Sequence, residues 1–144
     1  MKKYIDIALA YAIAAMAGGV FYREFTKFSH FNGRTTLAFV HTHLFLLGMV
    51  MFLVIALFAG RYRLDRLRLW KPFLGLYNGG VILTVVMLVL RGVLQVKAFP
   101  LHPGMDAAVS GIAGIGHILT GVGLILLFLC LRKCAVEKEL EKAA

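Results

Sequence analysis

An uncharged apolar run that contains two histidines limits most strongly what this chain can fold into. The run extends from Thr35 to Gly60 and carries no Asp, Glu, Lys or Arg. At about 1.5 Å per helical residue, it is long enough to cross the roughly 30 Å hydrocarbon core of a bilayer. His41 and His43 lie inside this run. Because ionisable side chains are costly at lipid depth, they indicate a functional site.

Hydrophobic residues make up 60% of the 144-residue chain, which is too apolar for a soluble domain of this size. The pattern predicts an all-α fold, an integral membrane bundle of four helices in a single domain over residues 1–144. The predicted helices cover about residues 4–22, 35–60, 72–96 and 106–131. The charged tail from Arg132 onward is expected to extend the last helix.

The positive charge is distributed as membrane topology requires, although a net charge of +9 would also suit a protein that binds nucleic acid. The two chain ends and the connection between the second and third helices carry eleven of the 16 lysines and arginines. Four more lie on the opposite side, and Arg91 lies inside the third helix. The positive-inside rule therefore places both termini in the cytoplasm, with the lipid bilayer and not nucleic acid as the partner. The basic connection also suits anionic lipid.

The spacing of His41 and His43 argues that they serve different sites. Residues two apart on an α-helix point about 200° away from each other, so one helix cannot turn both imidazoles toward one metal ion. At lipid depth the low dielectric favours neutral imidazole, which is the form that binds metal. We therefore expect at least one of the two in a metal or haem site. The alternative is that they form hydrogen bonds between helices.

A third histidine, His117, lies in the fourth helix among small residues. Gly114 and Gly121 share its helix face, and Gly48 lies in the run that holds the histidine pair. Small residues beside an imidazole leave space for a flat ligand such as a porphyrin, or for the backbone of a neighbouring helix. We take His117 as a candidate ligand and the three glycines as candidates for the cofactor site. In the alternative, the helix is tightly packed and His117 bonds a carbonyl or hydroxyl group.

Arg91 cannot lose its proton and therefore needs an anion or a wet cavity. Glu24 and Asp106 are the candidate protein partners, and a haem propionate at the outer face is another. Arg23, at the outer end of the first helix, is a second candidate for a propionate. Snorkelling of Arg91 to the membrane interface is the alternative.

The sequence lacks the residue sets that several kinds of catalysis require. It contains no Ser-His-Asp set, no paired carboxylates within the apolar runs and no phosphate-binding loop. Cys130 and Cys134 lie one helical turn apart, and two thiols make an incomplete zinc set. We expect these cysteines to pack rather than to bind metal.

A faint internal repeat relates the two halves of the chain. The first and third helices each end near an arginine, Arg23 and Arg91, and the second and fourth each carry a histidine, His43 and His117. This pattern is typical of two parallel hairpins related by an axis along the membrane normal.

The segments Arg23–Lys27, Val40–Leu44 and Gly111–His117 resemble those of a family of small bacterial four-helix membrane proteins that is classed as a domain of unknown function. The resemblance covers nearly the whole chain. It implies the four-helix fold and a multi-pass protein of the bacterial cytoplasmic membrane, and it brings no established activity.

The run His41–Met49 is similar to the His-x-His helix of the catalytic subunit of haem–copper oxidases. In that family the first histidine of the pair binds the oxygen-reactive haem, and the second binds the low-spin haem. That subunit has twelve helices in three repeats of four. The resemblance therefore implies a homo-oligomer, with a trimer favoured over a dimer, and haem between protomers. The chain lacks the adjacent His-His pair and the His–Tyr pattern of the oxidases, which makes copper the less favoured cofactor.

Together these observations predict a membrane protein that binds b-type haem, with His41, His43 and His117 as candidate ligands. Its expected role is electron transfer, or the handling of haem or a diatomic gas, with a redox partner that the sequence does not identify. Two alternatives remain: a small transporter or channel with a histidine-lined polar path, and a non-enzymatic accessory or assembly subunit.

Overall fold

A computed structural model describes the backbone of residues 1–143 and the side chains of residues 1–140. Over that range the chain is all-α and contains no strand. Four helices are long and apolar enough to cross a membrane, as judged by length and composition. We label them α1 (Lys2–Phe28), α2 (Thr36–Arg61), α3 (Trp70–Val96) and α4 (Pro103–Ala143). The prediction of four long apolar helices is confirmed.

Helix α1 extends further than predicted, and the charged tail continues the last helix as expected. Helix α1 continues to Phe28, beyond the predicted end near residue 22, so that Arg23 and Glu24 lie within it. Helix α4 begins at Pro103 and runs without a break through the charged tail. The reason is the same in both places, because Arg, Lys and Glu are good helix formers and no Gly or Pro interrupts these stretches.

The aromatic core lies in the half of the bundle that holds the chain termini. Trp70 donates a 2.8 Å hydrogen bond from Nε1 to the hydroxyl oxygen of Tyr4, which joins the start of α3 to the start of α1. One layer further in, the Tyr11 ring stacks on Phe52 with centroids 5.7 Å apart, and Phe52 contacts Tyr77. Burial of these rings fixes α1, α2 and α3 against one another.

Helix α4 packs along α3 and makes little contact with the other long helices. Glycines make this close approach achievable. A Cβ on Gly80 would overlap the backbone nitrogen of Thr120, and one on Gly116 would lie 2.9 Å from the Thr84 nitrogen. The remaining faces of α4 are left open, with large exposed hydrophobic side chains.

Helix α2 is irregular around its histidines. It opens with a 3₁₀ turn at Thr36–Phe39, after Thr35 has capped it by accepting a hydrogen bond from the Leu37 nitrogen. Residues Leu44–Val50 then form a π-helical segment directly after His43. Tyr77 of α3 donates a 2.8 Å hydrogen bond to the Leu47 carbonyl within that segment. Such π-helical segments are rare and are frequent at functional sites.

Helices α1 and α3 end in the same way. Each is followed by a non-glycine residue in the left-handed region, His30 after α1 and Ala98 after α3, both with φ of 49°. The next amide in each case donates back to a carbonyl five residues earlier, Phe31 to Thr26 and Phe99 to Leu94. The two helices thus share one type of ending, and the relation between the two halves of the chain stays a prediction.

Candidate functional site

The structure brings together two of the three candidate histidines. The ring centroids of His43 on α2 and His117 on α4 are 6.3 Å apart, and the ring planes are perpendicular, at 88°. His43 is half-buried and His117 is exposed. The pair therefore lies on an open face of the helices, which we call the histidine face and define by His43, His117, Gly114 and Gly121.

Each ring of the pair is held by its own helix in the same way. The Nδ1 of His43 lies 2.8 Å from the Phe39 carbonyl oxygen, and the Nδ1 of His117 lies 2.8 Å from the Ala113 carbonyl oxygen. Both carbonyls belong to the residue four positions earlier. With Nδ1–H donated to a carbonyl, a neutral imidazole has its free lone pair on Nε2. Both histidines are thus prepared to bind through Nε2.

Open space lies beside His117 at two positions of α4. A Cβ built on Gly114 or on Gly121 would meet no atom within 4 Å. These residues lie about one turn before and after His117 on the same helix face. The space at Gly114 and Gly121 therefore follows from the fold and is not occupied by a neighbouring helix of the same chain.

His41 lies apart from this pair. It packs toward α1, where a Cβ on Gly19 would lie 3.7 Å from the Cβ of His41. Its Nδ1 is enclosed and has no hydrogen-bond partner among the described residues. The prediction that His41 and His43 face different ways is confirmed, and only His43 of the two meets His117.

Arg91 of α3 contacts the strip of α4 that also carries His117. Its Nη2 pairs with the Asp106 carboxylate and donates a 2.8 Å hydrogen bond to the Ser110 hydroxyl. Asp106, not Glu24, is therefore its protein partner. Ser110 precedes His117 by two turns on one helix face, about 10 Å along the axis. The sequence reading missed Ser110, although the spacing of residues 110, 114, 117 and 121 would have revealed the strip.

The remaining candidates lie elsewhere. Arg23 is 81% exposed and lies 3.9 Å from Glu24 in a surface pair. Gly48 is buried against the Tyr11 ring, which a Cβ at this position would overlap. Gly48 thus lets α1 and α2 approach, and the structure does not bring it onto the histidine face.

The donor set on the histidine face is small. Among the residues that the structure describes, no group of three or more His, Cys, Asp or Glu side chains is placed to hold a metal ion. Cys130 and Cys134 are buried free thiols that belong to the packed part of α4, as expected. The histidine face provides two imidazole nitrogens and open space beside His117. Arg91 of α3 bonds to Ser110, which lies two turns before His117 on α4.

Comparisons with known proteins bear on the fold family alone. No curated protein and no solved structure matches the chain, so the resemblance to the haem–copper oxidases finds no support there. A family model described as "Protein of unknown function (DUF2871)" matches residues 1–134. Because that match spans nearly the whole sequence, the chain belongs to the DUF2871 family.

Proposed function

We propose that this chain is a multi-pass membrane protein that binds b-type haem through His43 and His117 and uses it to transfer electrons. The observation that carries the proposal is the pair of perpendicular imidazole rings with centroids 6.3 Å apart. Two imidazoles that would hold the same metal ion through their free nitrogens must lie close to each other. The observed separation suits that arrangement.

The number of donors also favours haem over a free metal ion. A structural zinc site takes four protein ligands, and the described residues offer no group of even three. Haem brings nitrogen donors of its own and would need only one or two ligands from the protein, which His43 and His117 would supply. Two histidines therefore complete a haem iron, whereas they would leave zinc or copper with an incomplete set.

The surroundings of the pair suit a large flat ligand with acidic groups. Gly114 and Gly121 leave the face beside His117 open, as described above. Arg91 uses only Nη2 for its bonds to Asp106 and Ser110, and its Nε and Nη1 form no bond among the described residues. A guanidinium has donors to spare for a second carboxylate, such as a propionate.

The chain's own groups would hold the ligand and set its electronics. The Phe39 and Ala113 carbonyls fix the tautomer of each imidazole, and such outer bonds raise the basicity of the ligating nitrogen. Haem supplies one-electron chemistry when it is bound. Because His43 and His117 would both hold the haem, the pair favours electron transfer over gas handling.

The exposed position of His117 supports self-association as part of the proposal. An ionisable side chain that faces lipid is costly, so the histidine face is expected to be covered in the membrane. We propose that another copy of the chain covers it, as a trimer in preference to a dimer, with both termini in the bacterial cytoplasm. The partner that exchanges electrons is not identified by any residue of the site.

An absorption spectrum tests the proposal. The full chain, purified in mild detergent from a haem-replete host, should show a Soret band and the narrow visible bands of six-coordinate haem. His43→Ala and His117→Ala should each abolish or shift these bands. His41→Ala is the matched control, because His41 lies two residues from His43 but packs toward α1, and it should leave the spectrum unchanged.

A colourless wild-type protein would contradict the proposal and would favour the transporter or accessory readings. A spectrum that survives the His43→Ala/His117→Ala double variant would also contradict it, since the haem would then be held elsewhere. If only His41→Ala changed the bands, the assignment of the ligand pair would be wrong.

A further inference from the structure

A second site lies at the opposite end of the bundle, where the chain termini are. A hollow of about 460 Å³ opens between the end of α2, the connection after it and the last part of α4. Five cationic side chains line it, namely Arg61, Arg63, Arg66, Lys133 and Lys138, together with one carboxylate, Glu137. We call this hollow the basic pocket.

The fold assembles these charges from segments distant in sequence. After α2, the chain makes a short 3₁₀ turn at Leu64–Arg66, which is anchored because Leu64 is buried. The turn packs on both α3 and α4. Because α4 continues through the charged tail, Lys133 and Lys138 lie opposite the turn. The long last helix is thus what closes the pocket.

Within residues 1–140, the protein's own groups leave most of this charge unneutralised. Glu137 lies 3.8 Å from Lys133, in a pair whose side chains are more than half exposed and which therefore contributes little. Lys138 lies over the Tyr62 ring at 5.5 Å. Within the described part of the chain, none of the three arginines forms an ion pair. Several like charges around one hollow repel one another unless an anion joins them.

We infer that the basic pocket binds the phosphate headgroup of an anionic membrane lipid. Arginine presents a planar fork of donors that matches phosphate oxygens, and three arginines line the hollow. The pocket lies at the connection between α2 and α3. This connection is at the level of the lipid headgroups if the four helices cross a membrane as proposed above. Tyr62 and Leu67 add apolar wall that suits the glycerol and upper acyl chain.

A phosphate could also come from a soluble anion, and the test separates the two sources. Native mass spectrometry of the full chain in a neutral detergent would measure binding of dioleoylphosphatidylglycerol and of dioleoylphosphatidylcholine. The anionic lipid should bind in a saturable way and the neutral lipid weakly. At about fivefold per charge removed, Arg63→Gln/Arg66→Gln/Lys133→Gln should weaken phosphatidylglycerol binding about 100-fold.

The matched control removes three charges from the other end of the bundle. Arg23→Gln/Lys27→Gln/Lys97→Gln has the same net charge and should bind phosphatidylglycerol as wild type does. Equal loss in both triple variants would overturn the proposal, since attraction would then depend on total charge. Binding of inorganic pyrophosphate in place of lipid, lost in the first variant only, would also overturn it and indicate a soluble ligand.

Two further measurements help to interpret the lipid-binding result. The single variant Arg66→Gln should weaken lipid binding about fivefold, and it tests the site if the triple variant fails to fold. The Soret band of the same samples should be unchanged, because the basic pocket and the histidine face involve different residues. Loss of lipid binding with an intact spectrum supports the pocket, and loss of the spectrum alone bears only on haem.

Discussion

The interior interfaces and the histidine face are built from the same residue types but use them in opposite ways. In the interior, neighbouring residues occupy the space beside the glycines: Gly48 lies against Tyr11, and Gly80 lies against Thr120. On the histidine face, Gly114 and Gly121 have no atom near the place of a Cβ. Glycine therefore serves close packing on one side and open space on the other. In a membrane-type helix, small residues alone do not distinguish the two uses.

The histidines divide in the same way. His41 lies within the packed region, close to Gly19, and its Nδ1 has no partner among the described residues. His43 and His117 have their Nδ1 atoms bonded to carbonyls, and their Nε2 atoms form no hydrogen bond among the described residues. The enclosed imidazole of His41 and the open imidazole of His43 therefore differ in their ability to bind a ligand, although the two residues are only two positions apart in the sequence.

The largest effect should come from filling one of two adjacent glycines on α3. Gly80→Ala would place a methyl group into the Thr120 backbone and 2.9 Å from the Gly116 carbonyl oxygen, neither of which can move without shifting α4. We expect a loss of about 2–3 kcal/mol in unfolding free energy, the usual size for overpacking. Thermal unfolding in detergent, followed by circular dichroism, would measure it.

Gly79→Ala is the control, because a Cβ on Gly79 would meet nothing within 4 Å. It should leave stability unchanged or raise it slightly, since alanine is the better helix former. Equal destabilisation by both variants would show that the division between packed and open glycines is wrong for α3.

The sequence predicts much of the fold because length and apolar composition decide which segments are long helices. It also makes Asp106 a candidate partner for Arg91, and that pair is observed. Helical periodicity further shows that His41 and His43 diverge. These features all depend on residues that are close in sequence or on a short list of charged groups.

The rest depends on which helix face meets which neighbour, and periodicity does not contain that information. Nothing in the sequence distinguishes Gly48, which packs, from Gly121, which does not. The meeting of His43 with His117 requires α4 to pack on α3 in one register, which Gly80 and Gly116 set. The sequence likewise contains no local signal for the π-helical segment Leu44–Val50, in which the Leu47 carbonyl accepts a hydrogen bond from Tyr77 of α3.

Filling the open space of the histidine face should change stability less than Gly80→Ala does, but it should prevent haem binding. Gly114→Leu/Gly121→Leu adds side chains where no atom lies within 4 Å, so the four helices should remain folded with stability within about 0.5 kcal/mol. The Soret band should be lost, because the leucines would occupy the space beside His117. Circular dichroism and absorption on one sample give both readings.

Gly111→Leu is the matched control for that variant. Gly111 is equally open, but it lies about 120° around α4 from His117. It should keep the Soret band. Loss of the band in Gly111→Leu as well would mean that bulk anywhere on α4 disturbs haem, and that the histidine face is not the specific site.

The smallest effect tests the anchor that holds the π-helical segment beside His43. Tyr77→Phe removes the hydrogen bond from the Tyr77 hydroxyl to the Leu47 carbonyl while keeping the ring in place between Phe52 and Phe73. We expect a loss of about 0.5–1 kcal/mol, as for single hydrogen bonds between membrane helices. Tyr62→Phe is the control, because the Tyr62 hydroxyl forms no hydrogen bond among the described residues, and its stability should not change. If Tyr77→Phe changes stability as little as Tyr62→Phe does, the packing of Gly48 against Tyr11 is sufficient to hold the π-helical segment. The position of His43 would then depend on the contact between α1 and α2 and not on the hydrogen bond from α3.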